Sequence, residues 1–341
     1  MFKTLMVAAA LLALGVSAHE RERFEAMFFD HMQKYDLKIA DGKEFMGKLE
    51  AFVDNVKYIE AHNAKKDKTF TMGLNEYSHM THAEFLQHVH LSTQAPSLRR
   101  NAPFHHGEPS TMVGVPESVN WVTSGAVTPV KNQGQCGSCW SFSTTGAMEG
   151  AYYVKNGKMP SATGFSEEQL VACDHKDNAC NGGWMDNAFA WIKSNGGITT
   201  EEDYPYTSGA GSVPSCNTAV TNVPNSAPSS YTDVQAGSVS AMMTAVAKQP
   251  VAIAIQADQR DFRHYSGGVL SSGCGQQLDH GVLNVGYGTE NGQDYWLVKN
   301  SWGATWGDAG YIKILKDNAV KKLVVGFRLR TAGPPFGVPW L

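Results

Sequence analysis

The chain has 341 residues, 42% hydrophobic and 18% charged, with a formal net charge of −4. It is long enough for two domains, or one domain and an appendage. Its charge is too near neutral to argue for nucleic acid, and no apolar run beyond residue 18 is long enough to span a bilayer. At the N-terminus, Lys3, the apolar stretch from Leu5 to Val16, and Val16-Ser17-Ala18 read as a secretory signal peptide with a small-residue cleavage site, residues 1–18. An anchor helix is the alternative, but the run is too short to cross a membrane. Six cysteines in an exported chain point to disulfides, and no Asn-X-Ser/Thr site occurs.

Residues 19–91 are charged, helix-forming and free of cysteine. Glu44, Lys48, Phe52, Asn55, Ile59 and Asn63 recur every three or four residues and so share one helical face. Residues 92–112 are polar and proline-containing without periodicity, a linker of the kind that is nicked first. Nine of the twelve histidines lie in residues 19–112, so a fall through pH ~6.5 charges this segment. Net charge alone does not give the sign of the effect.

Next comes a tight loop, Gln133-Gly134-Gln135-Cys136-Gly137-Ser138-Cys139. It opens a helix over residues 139–155, with Ala147, Ala151 and Val154 on one face and Asn156-Gly157 as the stop. Cys139 thus sits at a helix N-terminus, where free N–H groups and the dipole favour thiolate, the form that attacks a carbonyl carbon. A redox loop with Cys136 is the alternative, but the surroundings of a thioredoxin-type chain are lacking. The remaining cysteines are too scattered for zinc, and neither a metal nor a cofactor is expected.

Ser166 caps a helix with Gln169 three residues on, leading to Cys173. In Cys180-Asn181-Gly182-Gly183-Trp184-Met185-Asp186 the adjacent glycines either let another backbone approach closely or form a plain turn. A short helix over 187–195 ends at Gly196-Gly197, Glu201 to Tyr206 is an aromatic turn, and Cys216 lies in a loop. From about residue 229 short strand-like runs take over. Two carry polar residues suited to serve a thiol: Leu278-Asp279-His280-Gly281-Val282, and Tyr295 to Gly303 with Asn300 and Trp302. His280 can take the thiol proton, and the Asn300 amide can orient the ring. The expected fold is α+β, a helical half with Cys139 facing a β half with His280 and Asn300 across a cleft.

These motifs resemble those of the papain-like cysteine proteases, nearest in pattern to the cathepsin L group, for which Cys-Gly-Ser-Cys-Trp with a downstream His and Asn is a signature. The resemblance covers most of the chain. It implies a cysteine endopeptidase made as a zymogen. Residues 19–112 would be the inhibitory propeptide and activation linker, and residues 113–341 the peptidase domain. It implies Cys139 as nucleophile, His280 as base, Asn300 as its orienter, and Gln133 with the Cys139 N–H as the oxyanion hole. Trp302 would shield the His280–Asn300 bond, Asp279 would tune His280, and both would count among the substrate-binding residues. Gly182 and Gly183 would hold an extended substrate. Trp184, Met185, Ala254, Leu278 and Gly281 would form an apolar pocket favouring a bulky hydrophobic P2 residue. The disulfides it implies are Cys136–Cys180 and Cys173–Cys216.

Expected partners are protein and peptide substrates, the chain's own propeptide and cystatin-like inhibitors. A monomer, secreted or sent to a lysosome or vacuole, is expected. The helical face carries Lys48 where the family has Arg, and Gly73-Leu74-Asn75-Glu76-Tyr77-Ser78-His79 has Tyr for Phe and His for Asp. Past Asn318 the family's final cysteine is missing, so Cys274 is expected to be an unpaired thiol. Phe327 and Leu329 alternate with arginines as a substitute edge strand would, and the last ten residues are expected to be poorly ordered. The rival reading is a catalytically impaired homologue acting as a binding protein, because of this atypical tail.

Overall fold

The computed structural model describes residues 17–91, 114–235, 237–273, 275 and 277–316, and the backbone of 326–330. All but the last two residues of the expected signal peptide, the linker, Cys274 and the last ten residues lie outside this set.

The N-terminal segment folds as a helical unit. Helix α1 (Ala18–Lys34) is opened by a capping box between Ser17 and Glu20. Helix α2 (Gly42–Asn63) is opened by the Asp41 carboxylate, which accepts from Lys43 N and Glu44 N. The two helices bury Phe24, Phe28, Leu49, Phe52, Val53 and Val56 against each other. Strand β1 (Phe70–Met72) and helix α3 (His82–His88) follow.

The helical lobe is built on α4 (Cys139–Asn156), with α5 (Glu167–Cys173) and α6 (Met185–Ser194) packed on it. Gly157 ends α4 in the left-handed conformation, φ 70°, as the Asn-Gly stop predicts. The Ser166 hydroxyl caps α5 by accepting from Gln169 N. Helix α6 starts two residues earlier than the expected 187, at Met185; Trp184 precedes it without a side-chain cap, so nothing local marked the start. Disulfides join Cys136 to Cys180 and Cys173 to Cys216.

The β half contains β3 (Ser230–Val234), α7 (Val239–Val246), β4 (Val251–Ile255), α8 (Arg260–His264), β5 (Tyr265–Leu270), β6 (His280–Glu290), β7 (Gln293–Lys299), β8 (Tyr311–Leu315) and β9 (Gly326–Arg330). The strands run in the order β1-β5-β8-β7-β6-β4-β9-β3, and β2 (Val119–Asn120) pairs with β6. Strands β5 and β8 are parallel, and the other pairs are antiparallel. The backbone of 326–330 departs from the expected edge strand: it lies between β4 and β3, because it pairs with both.

Strand β4 shows how the halves meet. Val251, Ile253 and Ile255 face the β core, while Ala252 and Ala254 face the helical core. The period of two sends large side chains one way and small ones the other, and the small face leaves room for α4.

Candidate active site

Cys139 is the first residue of α4, and its N-cap, Ser138, makes no side-chain capping bond. The Cys139 Sγ accepts from Gly281 N at 3.3 Å. Among the described residues it is the free cysteine, and it is buried. Burial pushes the thiol up to about 11; the Gly281 N–H opposes this and the Asp279 charge adds to it. The helix N-terminus that favours thiolate is present, but removal from water outweighs it in this closed form.

His280 opens β6, and Asn300 follows the last residue of β7. His280 Nε2 lies 2.8 Å from Asn300 Oδ1, which also accepts from Ser301 N at 2.8 Å. That backbone donor settles which end of the amide is oxygen, so Nε2 carries the proton. Among the described residues His280 Nδ1 has no hydrogen-bond partner. Burial pushes the imidazole down to about 4, against the Asn300 bond. Trp302 stacks on the ring at 4.9 Å between centroids and 29° between planes, covering it from water.

Gln133 is fully buried. Its Oε1 accepts from Ser301 Oγ at 2.6 Å, and its Nε2 donates to Cys136 O at 3.0 Å. The Asp279 carboxylate accepts from Ala257 N at 2.7 Å and Asp258 N at 3.2 Å, so it ties down the loop after β4. Burial pushes it up to about 7, against those N–H groups.

A groove beside the thiol is lined by Gly182, Gly183, Trp184, Met185, Ala254, Leu278, Asp279, His280 and Gly281, which the sequence singles out. Trp302 is not in it; that ring is buried under the N-terminal segment. The groove also takes in Lys176, Asp177 and Asn187, which sequence reasoning missed. Asp177 accepts from Trp184 N at 2.8 Å and Asn187 Nδ2 at 3.0 Å, shaping that wall, and no local pattern announced it. Ser301 was likewise missed, although it stands beside Asn300.

The N-terminal segment closes the site. Val89 O lies 3.5 Å from Gln133 Nε2, and a Cβ on Gly137 would come within 2.8 Å of His90 O. Tyr77 and Phe85 meet Trp302 edge-on at 5.8 and 5.5 Å. Such pairs contribute about 0.5–1.5 kcal/mol each beyond their buried area. Arg263 Nη2 donates to the carbonyls of Tyr77 and Met80, and Asn75 Nδ2 to Arg263 O at 2.6 Å. Arg260 reaches Asp54 at 2.8 Å and Asn55 Oδ1 at 3.0 Å. Lys48, in place of the family's Arg, keeps a single ion pair with Glu84 at 2.9 Å.

A hydrolytic thiol site closed by the chain's own N-terminus defines a cysteine protease held as a zymogen. Residues 115–325 match the papain family of cysteine proteases, and residues 28–85 match the cathepsin propeptide inhibitor domain. The chain belongs to the papain family, and its N-terminal segment is the family's inhibitory propeptide. It is 41% identical over 312 residues to the senescence-specific cysteine protease SAG12 of Arabidopsis thaliana, covering 89% of this chain and 88% of that one. Among solved structures it is similar to the proform of the ragweed pollen allergen Amb a 11, a cysteine protease, with a TM-score of 0.83, 32% identity, and 93% and 88% of the two chains covered. It is also similar to the digestive procathepsin L2 proteinase of Tenebrio molitor larval midgut, with a TM-score of 0.79, 34% identity, and 90% and 100% covered. Among the described residues no helix is long and apolar enough to cross a membrane, and no cluster of His, Cys, Asp or Glu could hold a metal ion.

Proposed function

We propose that the chain is a secreted or vacuole-type endopeptidase zymogen in which Cys139 is the nucleophile, His280 the base, Asn300 its orienter, and Gln133 Nε2 with the Cys139 N–H the oxyanion hole. Residues 1–18 are the signal peptide, 19–112 the propeptide and linker, and 113–341 the peptidase. The observation that carries this reading is the His280–Asn300 bond of 2.8 Å on the strand whose next residue, Gly281, donates to Cys139 Sγ. Once the propeptide leaves, water and the helix N-terminus favour the thiolate–imidazolium pair.

The sulfur attacks the substrate carbonyl carbon, forming a C–S bond as the π pair moves to oxygen, where Gln133 Nε2 and the Cys139 N–H donate to it. Collapse breaks the C–N bond, and His280 gives its proton to the leaving amine. Water, losing a proton to His280, then attacks the thioester. The C–S bond breaks, the acid is released, and the thiolate–imidazolium pair is restored.

The groove as a whole has ≈ 200 Å³ of free space, and Met185, Ala254, Leu278 and Gly281 form an apolar stretch of its lining. That apolar stretch supports a bulky hydrophobic P2 residue. The working form is a monomer acting on protein and peptide substrates and open to cystatin-like inhibitors. The test is titration of the acid-processed protein with an epoxide inhibitor, followed by a fluorogenic peptide assay. One thiol labelled at Cys139, with proportional loss of activity, is expected. Activity surviving in purified Cys139→Ala would overturn the assignment.

A further inference from the structure

The aromatic turn from Glu201 to Tyr206 has no part in the mechanism so far. Its last residue lies against the loop that carries Gln133. Tyr206 Oη donates to Gln133 O at 2.8 Å and stands 2.7 Å from Ser138 Oγ. The phenol has one proton, and a carbonyl can only accept. The Ser138 hydroxyl is therefore the donor to Tyr206 Oη, and the three groups form one directed chain, Ser138 to Tyr206 to Gln133. That chain spans residues 133–138, from the residue with the amide donor to the one that precedes Cys139.

The segment that follows the turn is built onto the same loop. Gln135 N donates to Gly209 O at 2.8 Å. The Tyr206 ring packs edge-on against Phe142 of α4, 4.9 Å between centroids at 76°. From behind, Tyr206 N donates to Glu201 Oε1 at 2.8 Å.

We propose that Tyr206 is a positioning residue for the oxyanion hole: its hydroxyl clamps both ends of the 133–138 loop and so sets the spacing between Gln133 Nε2 and the Cys139 N–H. The proposal rests on the oxyanion-hole reading above. The two donors must converge on one oxygen of the tetrahedral intermediate, and donors aimed in advance are what make such a hole effective. Loss of the hydroxyl leaves the ring in place but lets the loop ends drift apart. The thiol, the imidazole and the substrate groove are untouched.

The experiment compares wild type, Tyr206→Phe, Gln133→Ala and the double variant, each processed from the full-length zymogen. Tyr206→Phe is expected to lower kcat about five- to tenfold, the effect of one lost hydrogen bond, with KM within twofold. Alkylation by iodoacetamide, which needs no oxyanion hole, should stay within twofold of wild type. In the Gln133→Ala background Tyr206→Phe should cost less than twofold more, because the donor it positions is gone. Losses that multiply in the double variant, or an alkylation rate that falls with kcat, would overturn the clamp. A wild-type kcat in Gln133→Ala would instead overturn the oxyanion-hole reading beneath it. Should Tyr206→Phe not fold, Ser138→Ala breaks the same chain at its other end and must show the same split between kcat and alkylation.

Discussion

His79 Nδ1 lies 3.4 Å from His31 Nε2, and both rings are buried between α1, α2 and the turn before α3. One proton can sit between them. Two cannot, since both nitrogens would then be donors. Burial holds each ring down at about 4, and positive neighbours add to it: Lys34 for His31, and His31, Lys48, Arg263 and His88 for His79. Lys48 is itself paired with Glu84. His82, held low by burial, faces Arg263 and Arg260 against Asp258.

That arrangement gives the sign that net charge left open. A histidine whose folded pKa lies below its unfolded value of ~6.5 favours the folded state when neutral. The stability these rings contribute to the propeptide is therefore fully present above pH ~6.5 and is lost as pH falls toward 4. His79→Gln keeps a hydrogen-bonding group but cannot be charged. The pH midpoint of propeptide release should fall by roughly half a unit or more, read by mass and a fluorogenic peptide across a pH series. An unchanged profile would refute the role.

Asn55 predicts the opposite shift. Its Nδ2 donates to Ser78 O and Met80 O, both at 2.9 Å, and its Oδ1 accepts from Arg260 of the peptidase domain. Asn55→Leu strands these groups at about 1–3 kcal/mol for each one left buried. Processing should begin at higher pH, with measurable activity in the unprocessed protein near neutrality. The exposed Glu50→Gln is the control and should leave the profile in place.

Gly183 tests the groove wall. A Cβ there would meet Trp140 Cδ2 at 2.6 Å and Asp177 Cβ at 2.8 Å. Overpacking of this kind costs about 1–3 kcal/mol, so Gly183→Ala should melt several degrees lower. It should also raise KM more than it lowers kcat, as expected if the displaced wall lies along the bound substrate. Melting and KM both equal to wild type would show that the wall yields without cost.

Cys274 lies outside the described residues, and its expected state remains a proposal. Counting thiols on denatured, unreduced mature protein should give two, Cys139 and Cys274. A count of one would mean that Cys274 has a partner.

The helix that carries Cys139 was legible from its apolar spacing and Asn-Gly stop, because such signals are local. The α2 face was legible too, and Asn55, Ile59 and Asn63 all reach the elements that follow it. His280 and Asn300 could be picked out as motifs, but their separation of 2.8 Å depends on the register of β6 with β7, which no local pattern states. Tyr206 and Asp177 stayed silent for a similar reason. Each acts through a single polar atom, Tyr206 on a segment distant in the chain and Asp177 on the start of the next helix. The histidines of the propeptide looked like a diffuse charge reserve. Only burial shows that His31 and His79 form a pair.

Strand β1 covers β5 in the zymogen. When the propeptide departs, the sheet acquires a bare rim from Tyr265 to Leu270, the kind of backbone row that recruits other chains. That rim is poorly suited to recruitment. Gly267 and Gly268 offer no side chains to pack, and Gly268 turns the backbone through φ 80°, interrupting the straight run of donors and acceptors that a docking strand needs. The activated enzyme thus keeps a sheet margin that gives little purchase to an unfolded polypeptide.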